Sequence, residues 1–171
     1  SARLPLALTT LLSCLLVALA ARKRLGDEAG FWATAAYGSC LYVFLHSHVL
    51  ITDGLLTLGV AAAFAGLELE KTWLWGAGLG LGVLAKGPVA VVLPCLGLGM
   101  ECLFGRSLKP VLGIRGLLPA TAIALGISLP WFVLEHRAEP DFLDFFIIHE
   151  HLQRYATKVH KRTGSAWMFL G

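Results

Sequence analysis

WLWGAGLGLGVLAKGPVAVVLPCLGLGMECLF, residues 73–104, is apolar apart from Lys86 and Glu101, and how it is divided decides the fold. As one helix rising 1.5 Å per residue it would run to about 48 Å, well beyond a bilayer core of about 30 Å. A lysine held at the bilayer centre costs roughly a few kcal/mol or more, and Gly-Pro is a turn signal. Lys86-Gly87-Pro88 therefore reads as the turn of a helical hairpin, with helices over about 73–85 and 88–104. The first is short for a full span, which calls for tilt in a thinned bilayer or for packing against protein.

Outward from this hairpin the pattern repeats. Leu4 to Ala21 reads as a span closed by Arg22-Lys23-Arg24, and Phe31 to Val49 as a second. After the break Ile51-Thr52-Asp53-Gly54, a third runs from about Leu55 to Leu67 and is ended in water by Glu68, Glu70 and Lys71. Beyond the polar loop Arg106 to Arg115, Leu117 to Leu134 makes the last span. Hydrophobic residues make up 57% of the chain and charged ones only 15%, with a mean hydropathy of +0.73, which excludes a soluble domain. In lipid every backbone amide must be bonded internally, and the alternating polarity of a β-barrel strand is missing. The expectation is an all-α polytopic transmembrane bundle of about six spans.

Pro140 to Ala156 differs in kind. Phe142, Phe145, Phe146, His149, Leu152 and Gln153 recur at helical spacing, with Asp141, Asp144, Glu150 and Arg154 at polar positions. Too charged to span and too apolar to float, this segment reads as an amphipathic helix in the interface. The domain organisation expected is thus a single transmembrane domain over 1–171, with membrane helices in 4–135 and an interfacial helix and basic loop in 136–163. Cys14, Cys40, Cys95 and Cys102 lie in apolar runs without metal-ligand spacing and read as small hydrophobes. Trp32, Trp73, Trp75, Trp131 and Trp167 fit an aromatic belt at the membrane surfaces.

The net charge of +3 decides less than where the charges sit. With the hairpin, the loops carrying Arg22-Lys23-Arg24 and Arg106-Lys109-Arg115 share one side, and the Asp53 loop, free of Lys and Arg, takes the other. Basic short loops are cytoplasmic as a rule, so Asp53, Lys86 and everything after Glu135 should face outward. Three polar features separated by long apolar stretches then converge on one face: Asp53, Lys86, and His149-Glu150-His151 with Arg154. Ionisable groups at membrane depth are costly and usually functional. One carboxylate, one ammonium, a guanidinium and imidazoles suit an anionic substrate with a group to deprotonate. Plainer roles compete at each position. Asp53 can cap the third helix through the amides of Leu55 or Leu56, Lys86 can snorkel to headgroups, and Arg154 with its histidines can bind lipid phosphates. His46, His48 and Asp53 could in principle hold a metal, but His-x-His on a helix points its rings apart.

Ile51-Thr52-Asp53 opening a helix, Leu84-Ala85-Lys86-Gly87-Pro88 between helices and Leu129-Pro130-Trp131 ending a span come in a telling order. They are followed by Phe145-Phe146-Ile147-Ile148-His149-Glu150-His151-Leu152-Gln153-Arg154-Tyr155 and by the basic His160-Lys161-Arg162. Across most of its length the chain resembles the central membrane region of the protein-mannosyltransferase-like GT-C glycosyltransferases. Within them it is most similar to the bacterial 4-amino-4-deoxy-L-arabinose transferases acting on lipid A. That resemblance implies a sugar donor linked to polyprenyl phosphate and a lipid, glycan or protein acceptor on the periplasmic face of the bacterial inner membrane. It implies displacement at the anomeric carbon, usually with inversion. The catalytic candidates are Asp53, to orient or deprotonate the acceptor, and Lys86, to stabilise the leaving phosphate. Arg154, His151, Glu150 and Lys158 are the candidate substrate-binding residues. No cofactor is certain, a divalent cation is compatible with the family, and membrane lipids rather than nucleic acid are the expected partners. The family's acidic motif in the first periplasmic loop, which often supplies the main catalytic carboxylate, lies upstream of this chain, so the expectation is an internal fragment of a longer enzyme, inactive by itself, with Asp53 as the secondary acid. The segment Gly164-Ser165-Ala166-Trp167-Met168-Phe169 departs from the family's Trp/Tyr-rich pattern, which leaves the acceptor open. The alternative is a transporter or flippase for an anionic lipid or solute, which also needs buried cations and broken helices but should carry polar groups through the midplane.

Overall fold

The computed structural model of the chain describes residues 4–46, 52–105, 113–142 and 146. These form helices α1 (Leu4–Leu25), α2 (Asp27–Ser39), α3 (Leu41–His46), α4 (Asp53–Glu68), α5 (Thr72–Lys86), α6 (Val89–Leu103) and α7 (Ile114–Ala138), with no strand among the described residues. Two of them, Leu4–Leu25 and Arg115–Ala138, are long and apolar enough to cross a membrane, and Val89–Leu103 is a shorter apolar helix. Leu8, Leu11, Leu12 and Leu15 on α1 and Leu117, Leu118 and Leu125 on α7 are exposed. Such faces are a liability in water and the expected surface toward lipid tails. The protein is an all-α integral membrane bundle. It divides into two compact units, one ending at Leu129 and the other beginning at Pro130.

The hairpin forms where the sequence places it. α5 stops at Lys86, Gly87 takes φ +71° and donates its N–H to the Val83 carbonyl at 2.8 Å, and Pro88 leads into α6. A positive φ is open to glycine without a Cβ penalty, and proline's missing N–H costs nothing at a helix start. The reverse turn between α4 and α5 has a less suited residue. Lys71 N–H reaches back to the Gly66 carbonyl at 2.8 Å and Glu70 N–H to that of Leu67 at 3.3 Å, a Schellman closure that puts Glu70 at φ +55°.

The centre of the first unit is α5, and glycine sets its packing. A Cβ on Gly78 would lie 2.5 Å from the Ala63 nitrogen and 2.6 Å from the Gly59 carbonyl oxygen of α4. One on Gly59 would lie 2.7 Å from the Gly78 oxygen, and one on Gly66 would run into the backbone of Trp75. On the other side of α5, Gly76 sits against the Ala120 backbone and Gly80 against that of Ala124, both on α7. Residues two apart on a helix point nearly opposite ways. The run Gly76-x-Gly78-x-Gly80-x-Gly82 is therefore two small-residue rows at spacing four, Gly76 and Gly80 toward α7 and Gly78 and Gly82 toward α4, with Gly82 also against Ala90 of α6. Four glycines would weaken a helix in water by about 1 kcal/mol each. In lipid the backbone has no other partner, so the helix holds and the missing side chains allow close approach. α5 is short, near 22 Å at 1.5 Å per residue, and of the two remedies its length calls for it uses burial against protein.

The core gathers Ala63, Leu67, Trp75, Leu98 and Ala120, with Phe64 and Leu79 packed against it. Trp75 corrects the aromatic-belt reading. It is 3% exposed because it stands in the first turn of α5, on the face against Gly66, while Trp32 and Trp73 are exposed. A second correction concerns the helix expected over Phe31 to Val49. It starts earlier, at Asp27, and stops at Ser39. The Ser39 hydroxyl donates to the Ala36 carbonyl at 3.2 Å, and the Cys40 amide turns to Tyr37 at 3.2 Å. Cys40 is extended (φ −63°, ψ 122°) and α3 begins afresh at Leu41.

In the second unit, Phe142 stacks on Phe146 at 5.6 Å between ring centroids, and Phe142 meets Trp131 edge-on at 5.5 Å. Phe132 lies 5.3 Å from Phe146. The chain turns back after α7, with the Phe142 N–H on the Glu139 carbonyl at 3.0 Å, and lays these rings on the helix end. Apart from Phe142 and Phe146, the apolar positions of the expected interfacial helix lie outside the described residues.

Candidate active site

Asp53 and Lys86, 33 residues apart, form an ion pair in which Lys86 Nζ donates to Asp53 Oδ1. Their positions follow from the helices. Asp53 is the first residue of α4 and Lys86 the last of α5, and the two helices run antiparallel through the tight glycine contact. A carboxylate at a helix start and an ammonium at a helix end each sit where the local dipole favours them. The Asp53 side chain is 20% exposed and that of Lys86 48%, so the pair stands at a rim open to solvent and headgroups.

The capping role open to Asp53 is not what this geometry shows. The Leu55 and Leu56 amides bond to the backbone carbonyl of Thr52, both at 3.1 Å, and the Thr52 side chain makes no capping bond. The Asp53 carboxylate is left for Lys86. Of the other candidates, Arg154, His151, Glu150 and Lys158 lie outside the described residues, as does His48. Among the described residues no group of three or more His, Cys, Asp or Glu is placed to hold a metal ion.

A second charged cluster, unforeseen in the sequence, marks the opposite end of the same helices. Arg24, near the end of α1, donates to both carboxylate oxygens of Glu101 on α6 at 2.6 and 3.0 Å, and to Glu68 at the end of α4 at 3.2 Å. The two clusters are separated by the length of α4, roughly 22 Å. The signal was the basic run Arg22-Lys23-Arg24 and the lone Glu101, but nothing local said that they meet. Between the ends α4 carries only Gly, Ala, Leu, Val, Phe and one threonine. The charge is thus confined to the two rims of this helix, with none along its middle.

No protein-family model matches the chain, and no solved structure matches it. Curated relatives do. The chain is 32% identical over 180 residues to undecaprenyl phosphate-alpha-4-amino-4-deoxy-L-arabinose arabinosyl transferase 2 of Pseudomonas fluorescens, covering 98% of this chain and 30% of that protein. It is 32% identical over 149 residues to arabinosyl transferase 1 of the same description from Sodalis glossinidius, 81% of this chain and 26% of that protein. With the corresponding transferase of Pseudomonas savastanoi pv. phaseolicola the identity is 28% over 179 residues, 98% of this chain and 33% of the relative. The chain thus spans about a third or less of the length of these relatives. The resemblance expected from its motifs to the aminoarabinose transferases is present along most of its length.

Proposed function

We propose that the protein is a membrane glycosyltransferase, a relative of the arabinosyl transferases that moves a sugar from a polyprenyl-phosphate carrier to a periplasmic acceptor. The acceptor is lipid A or another glycan or protein hydroxyl. The chain contributes the central membrane helices of a longer GT-C enzyme in the bacterial inner membrane, with Asp53 and Lys86 on the periplasmic side.

The observation that carries this reading is the Asp53–Lys86 pair at the rim. In the reaction the acceptor oxygen forms a bond to the anomeric carbon while the bond from that carbon to the phosphate oxygen breaks. The electron pair leaves with the polyprenyl phosphate, and the acceptor's proton passes to a carboxylate. The phosphate gains negative charge as it departs, and a cation already in place stabilises that charge without reorganising. Lys86 fills this role. While it is paired with Asp53 the two neutralise each other. An arriving phosphate competes for the ammonium, and the carboxylate released is free to orient or accept the proton of an acceptor hydroxyl. Arg154, His151, Glu150 and Lys158 complete the substrate-binding set from the segment that follows α7, the guanidinium and ammonium toward phosphate.

In the full-length protein reconstituted with a polyprenyl-phosphate-linked sugar, Lys86→Ala is expected to lower transfer by about 100-fold or more. Membrane insertion and yield should be unchanged. Full activity in that variant would remove Lys86 from the mechanism. Mass spectrometry of lipid A and envelope glycans from cells with and without the gene identifies the acceptor.

A further inference from the structure

Beside Asp53 lies a half-open cavity of about 160 Å3 lined by α1, α2, α3 and α4. Thr9, Thr10, Ser13, Tyr37, Tyr42 and Thr57 line it with six hydroxyl-bearing side chains. It adjoins the candidate active site directly. Gly54, next to Asp53, is part of its wall, a Cβ there would lie 3.4 Å from Thr9 Oγ1, and Thr57 Oγ1 donates to the Asp53 carbonyl at 2.8 Å.

We infer that this cavity is a sugar subsite, holding a small ring rich in hydrogen-bond donors next to the Asp53–Lys86 pair; the assignment rests on the glycosyltransferase reading above. Threonine and serine often stitch membrane helices together, but a packing role leaves no room between them. This space would hold about five waters at roughly 30 Å3 each. The bonding state of the wall selects the guest. Thr9 and Thr10 donate to the Leu6 carbonyl at 2.8 and 3.0 Å, Ser13 to that of Thr9 at 2.8 Å, and Thr57 to that of Asp53. A hydroxyl has one proton and two lone pairs. These four have spent their protons inside their own helices, and Ser13 is bonded to Tyr37 as well, so what Thr9, Thr10 and Thr57 offer a guest is lone pairs. Tyr37 and Tyr42 add phenolic hydroxyls, that of Tyr37 hydrogen-bonded to Ser13, and the wall carries no lysine or arginine to hold a phosphate. A ring carrying hydroxyls or an ammonium supplies the matching donors. The ring belongs either to the sugar being transferred or to the acceptor glycan, two sources with the same chemistry.

The test uses the full-length protein in proteoliposomes with a polyprenyl-phosphate-linked sugar and its acceptor, each varied in turn. Thr9→Val and Thr57→Val keep the shape and delete the acceptor oxygen, and each is expected to raise one KM by about 5-fold with kcat within about 2-fold. A rise in the donor's KM places the transferred sugar in the cavity, and a rise in the acceptor's places the acceptor ring there. Thr34→Val is the control. Thr34 makes the same kind of bond, to the Gly30 carbonyl at 2.8 Å, but lines a separate groove between α1 and α2, so both its KM values should stay put. If Thr9→Val does not accumulate in the membrane, Thr10→Val carries the same expectation. Unchanged KM values in the folded variants overturn the subsite and leave the enzyme reading standing. If the wild type transfers no sugar, the enzyme reading fails. The subsite is then judged by whether millimolar free L-arabinose raises the Tm of the wild type and not of Thr9→Val, and no shift in the wild type overturns it too.

Discussion

Lys86 ends one helix and Asp53 starts another, so each charge is helped by its own backbone before the two meet. That double placement explains why neither behaves as its plainer role would have it. The amides at the start of α4 are served by the Thr52 carbonyl, and Lys86 has a carboxylate within reach. A half-exposed pair of this kind adds about 0–1 kcal/mol in water, too little to be what holds the helices together. Glu70 is the reverse case, a residue that its position does not suit. At φ +55° a side chain meets its own backbone, at a cost of roughly 1–2 kcal/mol, which glycine avoids. Glu70→Gly is expected to raise the Tm of the purified protein, with a gain of up to about 1 kcal/mol once the looser unfolded chain is counted. A lower Tm would mean that the Glu70 carboxylate has a partner worth more than the strain.

Among the elements, α5 has the most exacting fit, and its glycines are not equivalent. Gly78 faces backbone atoms of α4 at 2.5–2.6 Å from where a Cβ would stand, and backbone cannot step aside as a flexible side chain can. Gly99 on α6 meets nothing within 4 Å. Gly78→Ala should therefore destabilise by about 1–3 kcal/mol through overpacking. Gly99→Ala should leave stability unchanged or raise it by up to about 1 kcal/mol through helix propensity. Thermal unfolding of the two variants in the same detergent checks the contrast; equal Tm values would mean that the α4–α5 contact is looser than described. The glycine run was plain to read in residues 73–104, yet a period of two says nothing by itself about which neighbours its two rows meet. The interruption at Cys40 was hidden for a different reason. Apolar residues run on from Cys40 to Leu45, so hydropathy registers no break there.

For the molecule as a whole, the two charged rims give the bundle a direction. Asp53 and Lys86 mark one end, and Arg24, Glu68 and Glu101 the other, which is the arrangement that the hairpin and the Arg22-Lys23-Arg24 loop called for. If the Asp53 end is periplasmic, a cysteine placed at Thr52 in a background lacking the native thiols reacts with an impermeant maleimide on intact spheroplasts. One at Lys71, in the α4–α5 turn, then reacts only in inside-out vesicles. Labelling of both positions from the same side would break the hairpin topology, and with it any common site for Asp53 and Lys86.

The sequence by itself determined that the chain is helical, membrane-embedded and folded back at Lys86-Gly87-Pro88. Those outcomes follow from the chain meeting lipid, which leaves backbone amides no partner but their own helix and penalises a lysine at mid-depth wherever it occurs. Only the tertiary structure decided which residues meet: Asp53 with Lys86, Arg24 with two glutamates 44 and 77 residues away, one glycine row with α4 and the other with α7, and six hydroxyls around one cavity. The reason lies in the solvent. Lipid tails are as apolar as leucine, so composition does not mark which face of a membrane helix turns inward. That choice is made by the fit of small residues and by the pairing of a few polar groups, and both exist only once the helices are side by side.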